Sequence, residues 1–422
     1  MRRGRGISVA VAVAVATALG IVGSAGGALA QDTTLRVAMG SPGEAGIRVW
    51  DDIAAQFEAA NPGVEVEMNY QQDDLYETIG LPNLLAGRNA PDIYFEWTGA
   101  RMSQRFADGY AADLTEAVTS GPLAGLVDPG VFSVASVDDK VVLMPLTSDV
   151  TNVLWYNVPL LEEHGVTPPT TWEELLAACD TLNAAGVIPI ATGNRDLWAA
   201  GNWLSHMASR VVGEDVYDAA LRNGGPFSTP EWEKAFGYIE ELAARKCVNE
   251  SANAVDDNAG AQLFFQGQAA MHPIGSWVVS WAIDVAPDLE FDFVNLPSMP
   301  EGSAGDQGSV IGVVTGHMVN ANSPNIDLAI QFLALVQSPE NVEKWLDAEI
   351  TPMALSAVPA DADGRSARLR ELLAGAPAVV LPPDTGYDLR TATELYAAQA
   401  EVLGGQSSAA DALAALDERL SQ

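Results

Sequence analysis

The sequence predicts an α/β protein of two domains, with mixed and mostly parallel sheets flanked by helices. Strand-like and helix-like segments alternate over about 390 residues, the pattern of βαβ construction. The chain has 422 residues, too many for one ordinary core, so two domains are expected. Its composition, 48% hydrophobic and 18% charged, is that of a globular chain.

Before the first element, Arg2, Arg3 and Arg5 precede a small and apolar run from Ile7 to Val22, and Ala28-Leu29-Ala30 precedes Gln31. Residues 1–30 are read as a secretory signal with its cleavage site. The run falls short of the roughly 20 residues a spanning helix needs. An exported chain is expected, soluble once the signal is removed, in a periplasm or at the outer cell face.

Leu35 to Met39 alternates as a strand, and Gly40-Ser41-Pro42-Gly43 turns the chain. Ile47, Trp50, Ile53 and Phe57 recur at helical spacing until Asn61-Pro62-Gly63 stops the helix, and Val64, Val66 and Met68 alternate again. Leu81 to Leu85 reads as helix, Ala90-Pro91-Asp92 as a turn and Ile93-Tyr94-Phe95 as a strand. Thr171 and Glu174 form a capping box for a helix burying Trp172, Leu175, Cys179 and Leu182. Gly186 ends it, and Val187 to Ile190 reads as a strand. Asn325 to Val336 and Ala409 to Leu420 are amphipathic helices.

With 21 basic and 56 acidic residues the net charge is −35. Such a surface repels nucleic acid and anionic lipid, so neither is expected as a partner. Export permits a disulfide between Cys179 and Cys247. Spacing alone does not bring two sulfurs together, and Cys179 could equally be a buried thiol on its helix. H-E-x-x-H and G-x-S-x-G are missing, the four Lys never follow Gly, and Asp361-Ala362-Asp363-Gly364 is only a fragment of a calcium loop. No catalytic residue, metal or cofactor is therefore assigned.

Several patterns in order carry a resemblance. They are Phe57-Glu58 with Asn61-Pro62-Gly63; Ala90-Pro91-Asp92-Ile93; Met144-Pro145 before Leu154-Trp155-Tyr156-Asn157; and Pro168 to Leu175. Next come Phe265 to Met271 with Gly275-Ser276-Trp277, and last Asn320 to Pro324. The chain resembles the extracellular solute-binding proteins of ABC transporters, in the carbohydrate-binding group that includes maltodextrin-binding protein. The resemblance implies a two-lobed periplasmic-binding-protein fold whose hinge the chain crosses several times. It implies an N-terminal lobe of 31–147 plus 298–350 and a C-terminal lobe of 148–297 plus 351–422, with crossings near Leu146 to Asp149, near Pro297 and near Ile350 to Met353. A monomer that captures an oligosaccharide and delivers it to membrane permease subunits is the implied function.

A sugar needs flat apolar partners for its C–H face and charged or amide groups for its hydroxyls. The resemblance makes Trp277, after its Gly-Ser turn, the chief stacking platform, with Trp281 as core. Trp97, Glu96 and Arg101 follow the strand at Ile93, and Trp198 and Asn202 follow the strand ending at Ile190. Asp149, Tyr387, Asp388, Ser41 and Glu44 complete the expected site. The resemblance implies acidic and basic contacts on the first loop for maltodextrin, and Gly43-Glu44-Ala45 holds no Lys, a departure that argues against maltodextrin itself. Two other functions stay open: a binding protein for a non-sugar ligand such as a polyamine, and a secreted carbohydrate-active enzyme using paired acids.

Overall fold

The computed structural model describes residues 33–72, 75–357 and 364–422. The signal segment and Asp361 to Asp363 lie outside them. Twelve strands are described: β1 Thr33–Gly40, β2 Val64–Gln71, β3 Ile93–Trp97, β4 Ser136–Val137, β5 Lys140–Val141, β6 Met144–Val150, β7 Val153–Asn157, β8 Ile188–Ile190, β9 Ala269–Ile274, β10 Phe291–Val294, β11 Val310–Val319 and β12 Val379–Val380.

Two sheets divide them. One runs β12-β11-β3-β1-β2 with β6 against β11; the other runs β10-β7-β9-β8; β4 and β5 form a separate hairpin. β1 pairs in parallel with both β2 and β3, as strand–helix–strand units require. Antiparallel pairing is more frequent than the alternation implies. β11 runs against β3 and β6, and β7 runs against β9 and β10. Several of these pairs use strands that enter one sheet directly from the other, whose direction is set by the crossing and not by a covering helix.

The helices have local causes. Asn61 ends the helix Gly43–Ala60 while Val49, Trp50, Ile53 and Phe57 bury its inner face. Thr171 and Glu174 close the capping box of the helix Trp172–Ala185, and Gly186 leaves it at φ 77°. Cys179 is joined to Cys247 in a disulfide, which resolves the alternative the sequence left open. It ties this helix to the segment beside β8, where Ile190 N–H donates to the Cys247 carbonyl at 2.9 Å.

Two buried side chains tie distant segments together. The Asp92 carboxylate accepts the Arg36 N–H at 2.7 Å and the Asn325 side chain at 3.2 Å. It thereby joins β1, the turn before β3 and the start of the helix Ile326–Val336. Arg210 donates to the carbonyls of Pro297 at 3.2 Å and Ser309 at 2.6 Å and to Asn295 Oδ1 at 3.0 Å. It grips the segment that leaves β10 in one sheet for β11 in the other. Near Thr147, Met353 N–H donates to the Leu146 carbonyl at 2.7 Å, placing 350–353 beside β6.

Candidate functional site

A cleft of about 240 Å³ lies between the two sheets. Ser41, after β1, Trp97, at the end of β3, and Asp149, on β6, line it from one side. Trp198, Asn202, Ser276, Trp277 and Trp281 line it from the other.

The Gly-Ser-Trp turn is built for this place. Trp277 folds back over Gly275 so closely that a Cβ on Gly275 would lie 2.0 Å from its ring, so only glycine fits. The Trp155 indole N–H holds the turn from beneath, donating to the carbonyls of Ile274 at 3.1 Å and Gly275 at 3.2 Å. Ser276 N–H donates to the Val150 carbonyl at 2.9 Å, and its hydroxyl donates to Asp149 Oδ1 at 3.0 Å. Trp277 itself stands at the N-cap position of the helix Val278–Val285 and stays partly exposed. The Trp198 ring stands 6.0 Å from it at 50°, so the two indoles form a bent apolar wall. Trp281, expected as core, also lines the cleft. It follows Trp277 by four residues, so both indoles share one helix face.

Asp149 accepts three hydroxyls: Ser276 on Oδ1, and Thr147 at 3.0 Å and Thr315 at 3.3 Å on Oδ2. No cation pairs with it among the described residues. Enclosure by protein pushes its carboxyl above the usual range, and the three hydroxyls pull the other way. One side opens on the cleft.

Arg101 has a different post from the one expected. It pairs with Glu77 at 3.0 Å, donates through Nε to the Asp384 carbonyl at 3.0 Å and lies 5.7 Å from the Trp97 ring centroid. It backs Trp97 and joins two parts of the fold without lining the cleft. Glu96 is also off the cleft: it is 1% exposed and bound by Arg105 at 3.1 Å. Strand alternation explains this, since Phe95 and Trp97 point to one face of β3 and Glu96 to the other.

Three more expected residues stand away. Tyr387 is buried with its hydroxyl donating to Asp218 at 3.0 Å. Asp388 is exposed and caps the helix Leu389–Leu403, accepting the Thr391 N–H at 3.0 Å. Glu44 is exposed in the first turn of its helix. Asn202 does reach the cleft, where it is buried and accepts the Tyr396 hydroxyl at 2.7 Å.

The residue sequence reading missed at the C-terminal side is Asp384, which lines the cleft where Tyr387 and Asp388 do not. Its Oδ1, with Thr385 Oγ1, Thr351 Oγ1 and His317 Nε2, is buried without a partner among the described residues, and all four residues line the cleft. Burial pushes the Asp384 carboxyl up against the opposing pull of Arg101, and it pushes His317 down to about 3, so His317 is neutral. Unpaired buried polar atoms are costly unless a ligand or water meets them. Pro382-Pro383 before Asp384 was the available signal, a rigid turn that fixes where the next side chains point.

The arrangement suits a ligand with an apolar face and a fringe of hydroxyls. Among the described residues no group of three or more His, Cys, Asp or Glu could hold a metal ion. No described helix is long and apolar enough to cross a membrane.

The model of a family described as bacterial extracellular solute-binding protein matches residues 41–343. An uncharacterized ABC transporter extracellular-binding protein of Pyrococcus horikoshii is 23% identical over 55% of this chain and 54% of its own. The melibiose/raffinose/stachyose-binding protein of Bacillus subtilis is 23% identical over 73% of this chain and 71% of its own. The chain spans about half the length of the first curated relatives it matches. A solved structure from work on xylan utilization by Caldanaerobius polysaccharolyticus superposes with a TM-score of 0.83 at 23% identity, covering 92% of this chain and 99% of that one. That likeness establishes the two-lobed fold.

Proposed function

Because the chain belongs to the bacterial extracellular solute-binding proteins, we propose that it is an exported receptor that captures a sugar between its lobes and delivers it to an ABC permease in the membrane. The observation that carries this reading is that an indole wall, Trp198 and Trp277, and the carboxylate of Asp149 line one cleft. Indoles cover the C–H face of a sugar ring, and ionised carboxylates accept its hydroxyls. The name of one relative, a melibiose/raffinose/stachyose-binding protein, adds weight. The ligand-holding residues in this reading are Trp97, Trp198, Trp277, Asp149, Asn202 and Ser41, joined by Trp281 and Asp384.

The lobes of the proposal are 31–147 with 298–350, and 148–297 with 351–422. Sugar settles on one lobe, the other closes over it, and the closed form docks on the permease. Micromolar capture needs about 8 kcal/mol, within reach of stacked indoles and several charge-assisted hydrogen bonds after ordering losses. The receptor acts as a monomer and leaves the sugar intact.

Among the described residues Asp149 and its hydroxyl cage have no cationic partner, which supports the polyamine alternative. A Trp fluorescence titration of the mature protein against sugars and polyamines separates the readings. Saturable response to a sugar recovered unchanged is the expected result. Response to polyamines alone, or cleavage of the sugar, overturns it.

A further inference from the structure

The rim of the cleft bears on how long a sugar it admits. Resting on the sugar reading above, we infer that the ligand is a mono- or disaccharide and that chains of three or more units do not fit. Among the described residues, the two sides touch at three places around the cleft. At the first, a Cβ on Gly43 would lie 2.8 Å from Trp281, and beside it Arg48 bonds both carboxylate oxygens of Asp284 at 3.1 Å. At the second, a Cβ on Gly99 would lie 2.4 Å from the Thr385 carbonyl oxygen, next to the Arg101–Asp384 bond of 3.0 Å. At the third, the Ser366 hydroxyl donates to Glu349 at 2.9 Å.

Each touching point includes a residue that lines the cleft: Trp281, Thr385, Glu349. These contacts therefore bound the ligand space and do not lie elsewhere on the surface. The cleft beside these contacts holds about 240 Å³, below the roughly 300–1,000 Å³ of clefts that bury drug-sized molecules. The aromatic wall is short in the same sense. Trp198 and Trp277 meet at 50°, giving a corner for a ring or two in place of a long flat track. Trp281, the next indole along the helix, packs across onto Gly43 and ends the wall.

Both glycines are at positive φ, 77° for Gly43 and 123° for Gly99, a conformation that larger residues rarely adopt. The close approach is thus written into backbone that only glycine suits. A longer sugar would have to hold the sides apart and forgo these contacts.

Calorimetric titration of the mature protein tests this with ladders of gluco-, galacto- and xylo-oligosaccharides of one to five units. Affinity should peak at one or two units in the ladder that binds and fall at least tenfold at three. Affinity that holds or rises from three units to five overturns the length limit while leaving the sugar reading standing. If no member of any ladder binds, the sugar reading and the length limit fall together.

Discussion

The helix-borne tryptophans lining the two sides of the cleft serve different ends, while Trp97 on β3 is partly exposed there like the ligand-facing ones. On the β1–β3 side, Trp50 and Trp345 are 2% and 1% exposed and pack edge to face at 5.2 Å. His317 adds its ring at 4.9 Å from Trp50, and the Trp345 indole N–H donates to the Val336 carbonyl at 3.1 Å. These rings touch the floor of the cleft but belong to the core beneath it. On the β7–β10 side, Trp198, Trp277 and Trp281 are only partly buried and present themselves to the cleft. Backbone position decides the difference. Trp50 and Trp345 sit on the apolar stripes of amphipathic helices, where neighbours cover them. Trp198 and Trp277 stand at helix starts after turns, where no preceding turn of helix covers the ring. A tryptophan's hydrophobicity is the same in both places, and only the second leaves a face for a ligand.

Substitutions should separate the two classes. Trp345→Ala is expected to destabilise the fold by about 3–5 kcal/mol, as large-to-small changes in cores do. Urea denaturation measures this, and an unchanged midpoint would remove Trp345 from the core class. Replacing Cys179 and Cys247 together by Ala should cost about 4 kcal/mol, because the bridge closes a loop of 68 residues. Sugar affinity of that variant, measured well below its melting temperature, should match the parent's, since the bridge lies away from the cleft wall. A matching loss of affinity would show that the wall depends on the staple.

The carboxylate that lines the cleft with the indoles is expected to make binding depend on pH. In the proposed reading sugar hydroxyls donate to the ionised form of Asp149, whose carboxyl burial pushes above the usual range. Affinity should therefore be flat at higher pH and fall as pH drops through that raised value. For the unliganded fold the sign reverses. A carboxyl with a raised folded pKa takes up its proton more readily when folded, so its contribution opposes folding above that window and fades as pH falls through it. Asp149→Asn should weaken sugar binding by about 1–2 kcal/mol and flatten the acid limb of the affinity profile. An unchanged limb would assign it to another group. The smallest effect belongs to the rim. Arg48→Ala breaks an exposed pair, 58% and 31% exposed, and should change affinity by under about 1 kcal/mol, a shift readable by calorimetry.

Much of this contrast was legible in the sequence. Thr171 with Glu174 announced its helix, and Asn61-Pro62-Gly63 announced a stop, because caps and breakers act within a few residues. Gly275-Ser276-Trp277 marked a turn carrying an indole for the same reason. What failed was either unread periodicity or nonlocal contact. Glu96 was grouped with Trp97, although a period of two sends them to opposite faces of β3. Trp281 was set in the core, although a spacing of four puts it beside Trp277. Arg101 could not be placed, because Glu77 and Asp384 reach it from segments whose approach only the fold sets. The same holds for Asp384, which lies four residues before the aspartate chosen in its place.

In the proposed function the indole on the Gly-Ser turn is a ligand platform and not core. Calorimetric titration of Trp277→Ala against the best-binding sugar, with its urea midpoint recorded alongside, tests that most directly. A loss of about 2 kcal/mol in affinity, roughly thirtyfold, with the midpoint nearly unchanged, is the predicted result. Parental affinity, or a lost midpoint with affinity intact at low temperature, would contradict it.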